Sequence, residues 1–381
     1  MPTARPHELG LLQTLGLTLG LAMTIASTAD AAPVIDMAVG GEHECTVNDC
    51  GSVQCWGGYN QFFGEDDDMP GSFDDVAVGT DHTCGLENHD DDQPELGGDA
   101  VCWGREPGDF GDPEDWNLLE VPPGDYTQID AGPFLTCGVK ANDQIECWGW
   151  DTGNAVTETP NNYYAQVSAG YGYACGVTSG RSAVFCWGDV PAGLEEVYIR
   201  DVQRYADEKW TKVSAGIHHV CALSERSNLV GGTIGQVYCW GSNAAEQVTP
   251  PHPNHPEFPV ATAIEVESQK GEGMAEVWRH PWDGVSDVSA GTTATCINHY
   301  DNGGWRIECW GYPFTPYGLG LTTWGNPSHL PPLPAGFTPS RVFLAFHQLC
   351  ATDDSTGDVE CWSLDFPNDL GVADPDAYVC L

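Results

Sequence analysis

Between Val39 and Ser363 the chain writes one pattern of apolar and polar positions seven times. A glycine is followed five positions later by a cysteine, then by a variable stretch, then by Cys-Trp-Gly. The clearest copy is Ser214-Ala215-Gly216-Ile217-His218-His219-Val220-Cys221-Ala222-Leu223, answered by Gln236-Val237-Tyr238-Cys239-Trp240-Gly241. Residues two places from the cysteines are mostly apolar: Val47 and Val53, Leu86 and Ala100, Val139 and Ile145, Val177 and Val184, Leu223 and Val237. The last two copies keep only the second member, with Asn298 opposite Ile307 and Thr352 opposite Val359. In a β-strand a period of two puts such residues on the face that carries the cysteines. Each copy therefore predicts a β-hairpin whose two cysteines face each other.

Across a non-hydrogen-bonded pair of positions the Cβ atoms approach the separation a disulfide needs. This predicts Cys45–Cys55, Cys84–Cys102, Cys137–Cys147, Cys175–Cys186, Cys221–Cys239, Cys296–Cys309 and Cys350–Cys361. The loops are short, so each bridge should contribute about 2–3 kcal/mol. Buried free thiols are the alternative. Zinc fits poorly, because the paired cysteines are 10 to 18 residues apart and lack a Cys-x-x-Cys knuckle. Cys50, in the first hairpin turn, and Cys380, next to last, remain. Linking them would fasten the two ends of the chain; separate thiols or an intermolecular bond are the other possibilities.

Units of this size cannot each bury a core and must stack on their neighbours. A closed ring removes exposed sheet edges, so the expected fold is all-β, a seven-bladed β-propeller over residues 32–381. First cysteines are spaced from 38 residues (Cys137 to Cys175) to 75 (Cys221 to Cys296). That variation belongs to loops. The largest insertion spans about 248–283, opens with Pro250-Pro251-His252-Pro253-Asn254-His255-Pro256, and is expected to be irregular.

Charge changes the picture of partners. Acidic residues outnumber basic ones 56 to 13, for a net charge of −43. Such a surface repels phosphate backbones and anionic lipid, so nucleic acid and membrane are poor partners. At the N-terminus Arg5 precedes an apolar run from Leu11 to Ala26, and Ala29-Asp30-Ala31 is a cleavage signal. Residues 1–31 thus read as a Sec-type signal peptide, and the mature chain is expected in an oxidising periplasmic or extracellular compartment.

The repeated Gly-x-x-x-x-Cys followed by Val-x-Cys-Trp-Gly resembles the regulator of chromosome condensation repeat, in its secreted, disulfide-bearing bacterial form. The resemblance covers about residues 34–381. That family places a histidine two residues before the first cysteine. His43, His82 and His219 match, whereas Leu135, Tyr173, Ala294 and Gln348 do not. Of the family's Asn-x-x-Gly-Gln-Leu-Gly segment only Asn60 and Gly64, Asn243, and Gly318-Leu319-Gly320 survive, which leaves the outer strands undefined. The resemblance implies a seven-bladed propeller that binds protein. The nucleotide-exchange activity of the family's founder is not carried over, because an exported chain has no access to cytosolic GTPases. Secreted relatives include a protein inhibitor of β-lactamases.

The three histidines, one per blade, would be spread round a ring and are expected to serve structure rather than hold a metal; His218, His252, His255 and His280 are further metal-capable groups. Trp56, Trp103, Trp148, Trp187, Trp240, Trp310 and Trp362 occupy one repeat position and are expected to pack blade on blade. Tryptophans outside the repeat are Trp116, Trp150, Trp210, Trp278, Trp282, Trp305 and Trp324. Trp278 and Trp282 at the end of the long insertion are the expected binding residues. Glu65-Asp66-Asp67-Asp68 and Asp90-Asp91-Asp92 could offer oxygen ligands to calcium but match no EF-hand loop. The sequence presents no catalytic motif and calls for no cofactor. The expected function is a monomeric, non-enzymatic propeller that binds a protein or surface ligand through loops on one face. Its alternatives are an inhibitor of a secreted or periplasmic enzyme, and an enzyme acting on polysaccharide with carboxylates near the axis.

Overall fold

The computed structural model describes residues 33–41, 43–57, 67–87, 97–104, 117–191, 196–198, 209–227, 233–245, 247–248, 262–267, 274–279, 284–301, 304–311, 333–345 and 348–363. These residues form seven antiparallel sheets, one per repeat. Blade one is β1 (Val34–Val39), β2 (His43–Asn48) and β3 (Val53–Gly57). Blade two is β4 (Phe73–Val78), β5 (His82–Glu87) and β6 (Ala100–Gly104). Blade three is β7 (Tyr126–Ala131), β8 (Leu135–Lys140) and β9 (Ile145–Gly149). Blade four is β10 (Tyr164–Ala169), β11 (Tyr173–Thr178), β12 (Ala183–Gly188) and a short outer β13 (Glu196–Tyr198). Blade five has β14 (Lys209–Ala215), β15 (His219–Ser227), β16 (Thr233–Gly241), β17 (Thr262–Glu267) and β18 (Met274–Arg279). Blade six is β19 (Val285–Ala290), β20 (Ala294–Asp301) and β21 (Gly304–Gly311). Blade seven is β22 (Arg341–Leu344), β23 (Gln348–Asp353) and β24 (Asp358–Ser363).

The second and third strands are the hairpins that the period-two pattern predicts. Their register sets each cysteine opposite its partner and Val47 opposite Val53, Leu86 opposite Ala100 and Leu223 opposite Val237. The seven bridges hold Cα atoms 4.0–4.1 Å apart within single blades. Cys50 is disulfide-bonded too. Cys380 lies outside the described residues, so the Cys50–Cys380 link stands as a proposal.

The long insertion is not irregular throughout. Its second half folds into the hairpin β17–β18, and β18 pairs with β16 through Tyr238↔Arg279 and Cys239↔Trp278. A period-two signal was present in Thr-Ala-Ile-Glu-Val-Glu and in Met-Ala-Glu-Val-Trp-Arg. It was masked by the run of prolines that precedes it, which cannot donate to a ladder.

The core is divided among the boundaries between blades. Each of seven apolar clusters joins two consecutive blades, because a single three-stranded sheet has no interior. Trp240, fully buried, packs with Tyr173, Cys175, Val177 and Cys186 of blade four. Trp310 packs with Cys221 and Cys239 of blade five, and Trp148 with Cys84 of blade two. The repeat tryptophan therefore covers the disulfide of the preceding blade, not the next one. The last cluster closes the ring: Val34 and Met37 meet Cys350 and Cys361. Val34 N–H donates to Gly357 O at 3.2 Å, and Arg341 pairs with Asp36 at 2.8 Å. Blades one and seven each keep their own strands, so closure rests on packing, side-chain bonds and the Val34–Gly357 backbone bond, not on a strand shared between blades.

Candidate functional site

The first strands line the axial channel. In six of them the register slips between a first and a third position, for example between Val34 and Asp36 and, one residue into β14, between Trp210 and Lys212. Such a bulge re-aims side chains. The first residue (Val34, Phe73, Tyr126, Tyr164, Trp210 or Val285) is buried at the seam, and the third faces the neighbouring first strand. With Arg341 of blade seven, these third residues are Asp36, Asp75, Gln128, Gln166, Lys212 and Asp287, each four places before the repeat glycine or Ala345.

They form a belt of bonds from blade to blade. Val76 N–H donates to Asp36 Oδ2 (3.0 Å) and Ile129 N–H to Asp75 Oδ2 (2.8 Å). Val167 N–H donates to Gln128 Oε1, and Val213 N–H to Gln166 Oε1, both at 2.8 Å. Lysine cannot accept, so Lys212 Nζ instead donates to Asp287 Oδ1 (2.6 Å), whose Oδ2 takes Val342 N–H (2.8 Å). Arg341 returns to Asp36 Oδ1 (2.8 Å) and Ile35 O (3.0 Å). A second tier repeats the arrangement: Asp130 Oδ2 accepts from Ala169 N–H, Ser168 Oγ from Ala215 N–H, and Ser289 Oγ from Leu344 N–H. These bonds satisfy first-strand amides that no other strand covers. The sequence reading missed the belt, although the polar residue at a fixed four places before the glycine was its signal.

The channel encloses about 280 Å³ and holds a close carboxyl pair, Asp36 and Asp75. Burial, followed by the Asp36 charge, pushes Asp75 well above the usual carboxylate range. Burial raises Asp130 to about 6. Both pair members are nonetheless engaged by the amides of the next blade, and Asp36 also by Arg341. The belt therefore accounts for these carboxylates as structural groups.

The histidines are explained by a pairing across seams. His43 Nε2 lies 2.6 Å from Thr83 Oγ1, His82 Nε2 2.8 Å from Thr136 Oγ1, and His219 Nε2 2.8 Å from Thr295 Oγ1. Each threonine immediately precedes the first cysteine of the next blade. The structural role expected of these histidines is thus a hydrogen bond to a side-chain hydroxyl of the next blade. Thr295 Oγ1 donates to Gln247 O at 2.8 Å, so it accepts from the His219 Nε2–H tautomer. Where the histidine is missing, so is the threonine. Leu135 packs in one cluster with Ala174, Tyr173 with Val220, and Ala294 with Leu349. Burial lowers His43 to about 4 and His82 and His219 to about 3. They are neutral, and their contribution to stability is present above the unfolded value of 6.5 and is lost as pH falls toward 3–4. His82→Leu should cost about 1–3 kcal/mol, because it leaves the buried Thr136 hydroxyl without its partner. His82→Leu with Thr136→Ala should recover part of that loss, as the natural Leu135–Ala174 seam does. Urea midpoints of the wild type and the three variants measure the coupling, and strictly additive losses would refute the pairing.

The two ends of the ring differ. At the end where first strands reach the glycines, Phe134, Trp150 and Tyr171 pack edge to face at 5.7–6.2 Å. At the other end lie the hairpin turns. Large apolar side chains exposed among the described residues are Ile35, Tyr163, Tyr171, Tyr300 and Trp305, and all but Tyr171 are at the hairpin end. Tyr300 and Trp305 face each other across β20 and β21, near the tip of the blade-six hairpin, with rings 5.5 Å apart. Trp278 stands in β18, and Trp282 lies outside the described residues. So do Glu65, Asp66, Asp90, Asp91, Asp92, His252, His255 and His280, while Asp68 Oδ1 accepts the Cys55 amide. Among the described residues no three histidine, cysteine, aspartate or glutamate groups could hold one metal ion. No described helix is long and apolar enough to cross a membrane.

Solved structures share this architecture. Yeast RCC1 (Prp20), in a crystal structure bound to Kap60, is similar with a TM-score of 0.55 at 15% identity, over 76% of this chain and 72% of that one. The fold is an RCC1-like seven-bladed propeller. The CRINKLY WD40 ectodomain of the Arabidopsis thaliana receptor kinase ACR4 is similar with a TM-score of 0.51 at 20% identity, over 90% of this chain and 99% of that one. A serine/threonine-protein kinase-like protein of Arabidopsis thaliana, CCR2, is 29% identical over 114 residues. That match covers 27% of this chain and 14% of the relative, so the likeness concerns a small part of a much longer protein. No family model matches the chain. These identities establish the fold and leave the function to the chain's own surface.

Proposed function

We propose that this chain is an exported, non-enzymatic binding propeller that docks a protein partner through the hairpin end of its ring. The observation that carries this reading is the concentration there of exposed aromatics: Tyr163 is 61% exposed, Tyr300 52% and Trp305 36%. Tyrosine and tryptophan supply much of the binding energy in protein interfaces. Leaving them in solvent on a projecting hairpin serves no purpose in the ring itself. Trp278 and Trp282 of the blade-five insertion are proposed to add contacts. Export is supported by seven disulfides, which persist in oxidising compartments, and by the residue 1–31 signal pattern. Binding agrees with the solved relatives, since RCC1 (Prp20) was crystallised with Kap60 and described for its binding to Gsp1p and histones. An enzyme inhibitor is the narrower form of this reading, in which the partner is a secreted or periplasmic enzyme.

The test compares capture of exported proteins by immobilised wild type, Tyr300→Ala/Trp305→Ala and Tyr171→Ala. The double variant should lose the captured partner at least tenfold while melting like the wild type, and Tyr171→Ala should retain it. Equal capture by the double variant would place the docking surface elsewhere.

A further inference from the structure

The sequence has sixteen cysteines, and fourteen of them are paired with one another inside the seven blades. Cys50 is disulfide-bonded as well. One cysteine, Cys380, is left to be its partner. The surroundings of Cys50 fit that pairing. It stands in the turn between β2 and β3, where its N–H donates to Asn48 Oδ1 at 3.0 Å and the Asp49 N–H donates to Pro33 O at 2.9 Å. Val34, next to Pro33, donates to Gly357 O in the blade-seven turn. Cys50 is therefore held at the hairpin end, on the side of blade one that meets blade seven. β24 ends at Ser363, opposite Gln348 near the glycine end. Residues 364–379 separate Ser363 from Cys380. Extended, such a segment reaches roughly 50 Å, whereas a six-residue strand is about 20 Å long.

We propose that Cys50–Cys380 is the covalent clasp of the ring, standing in for a strand shared between blades one and seven, and that it is the disulfide a reductant opens first. A thiolate must reach one sulfur of the bond, so access governs the rate. Each blade bridge keeps its first cysteine wholly buried, from Cys45 to Cys350, and of the second cysteines only Cys55 and Cys102 are half-buried. Cys50 is exposed. Asp49 Oδ1 lies 3.4 Å from Cys50 Sγ and repels an incoming thiolate. That exposed charge is screened by salt, whereas the burial of the blade sulfurs is not. In the step, one thiolate of a dithiol attacks Cys50 Sγ or Cys380 Sγ, forms a mixed disulfide and expels the other sulfur as a thiolate. The dithiol's second sulfur then closes its own disulfide, and its two protons end on the two protein thiols. The clasp also closes a far longer loop than any blade bridge. In the chain-entropy model its loss therefore frees the unfolded chain most.

Non-reduced peptide mapping of the intact protein should yield a Cys50–Cys380 peptide. Cys50 alkylated without reductant, or joined to a second chain, overturns the proposal. Native protein is then exposed to dithiothreitol and trapped with excess N-ethylmaleimide over a time course. Cys50 and Cys380 should be labelled about tenfold faster, or more, than any blade cysteine. Labelling of Cys55 or Cys102 at the same rate refutes the order. For the clasp itself, urea midpoints of Cys50→Ser, Cys380→Ser and the double variant are compared with the wild type. Each single variant should fall by about 1 M, and the double variant no further, because one bond is lost in all three. Wild type opened at this bond alone and alkylated should show the same fall. Midpoints equal to that of the untreated wild type, or losses that add, would show that the two cysteines do not clasp the ring.

Discussion

Gly216→Ala should lower the stability of this protein by about 3 kcal/mol, because a Cβ there would stand 2.2 Å from Gly291 O. The neighbour is backbone of the next first strand, so no rotamer change relieves the clash; blades five and six would have to separate. The same contact recurs round the channel: a Cβ on Gly40 would meet Gly79 O at 2.1 Å, and one on Gly132 would meet Gly170 O at 2.2 Å. Gly304, in β21, has no atom within 4 Å of such a Cβ, and Gly304→Ala should change stability by under about 0.5 kcal/mol. Urea unfolding followed by tryptophan fluorescence gives both values. If the two variants unfold at the same midpoint, the repeat glycine is not there for close approach.

Trp240→Ala should cost about 3–5 kcal/mol, the range for deleting a large buried aromatic. Trp240 is fully buried among Tyr173, Cys175, Val177 and Cys186, and beside it Trp210 meets Tyr238 edge-on at 5.2 Å. Half-exposed Trp305 provides the contrast: Trp305→Ala should fall within about 1 kcal/mol of the wild type. A second readout tests which blade the ring covers. In Trp240→Ala a mild reductant should open Cys175–Cys186 faster than Cys45–Cys55, as mass mapping of alkylated peptides would register. Faster opening of a blade-six bridge instead would show that the tryptophan covers the following blade.

Much of this fold was legible along the chain. A period of two around paired cysteines is local information, and it set the hairpins, the register of Val47 with Val53 and of Leu223 with Val237, and the number of blades. The expectation of a structural histidine was legible as well, because one histidine per blade cannot converge on one ion. Its partner was not, since Thr83, Thr136 and Thr295 lie 40, 54 and 76 residues away. The direction in which Trp240 packs was equally hidden. A strand pattern states which face is apolar but not which neighbouring sheet covers it.

The candidate site was less legible than the fold. The sequence directed attention to Trp278 and Trp282; the aromatics that the proposed docking surface adds, Tyr163, Tyr300 and Trp305, are exposed at the hairpin end. Tyr300 and Trp305 are five residues apart in a strand–turn–strand whose pairing brings them face to face. Exposure is a property of the assembled ring, and no local pattern encodes it.

By itself the sequence determined the repeated unit. Spacing, period and cysteine position are all contained within about thirty residues, and short-range geometry converts them into a stapled hairpin. Tertiary structure alone decided what joins one hairpin to the next: the belt from Asp36 to Arg341, and which seams carry a His–Thr bond and which an apolar pair. Those contacts form between residues far apart in the chain. Their energies depend on burial, which exists only once the ring is closed.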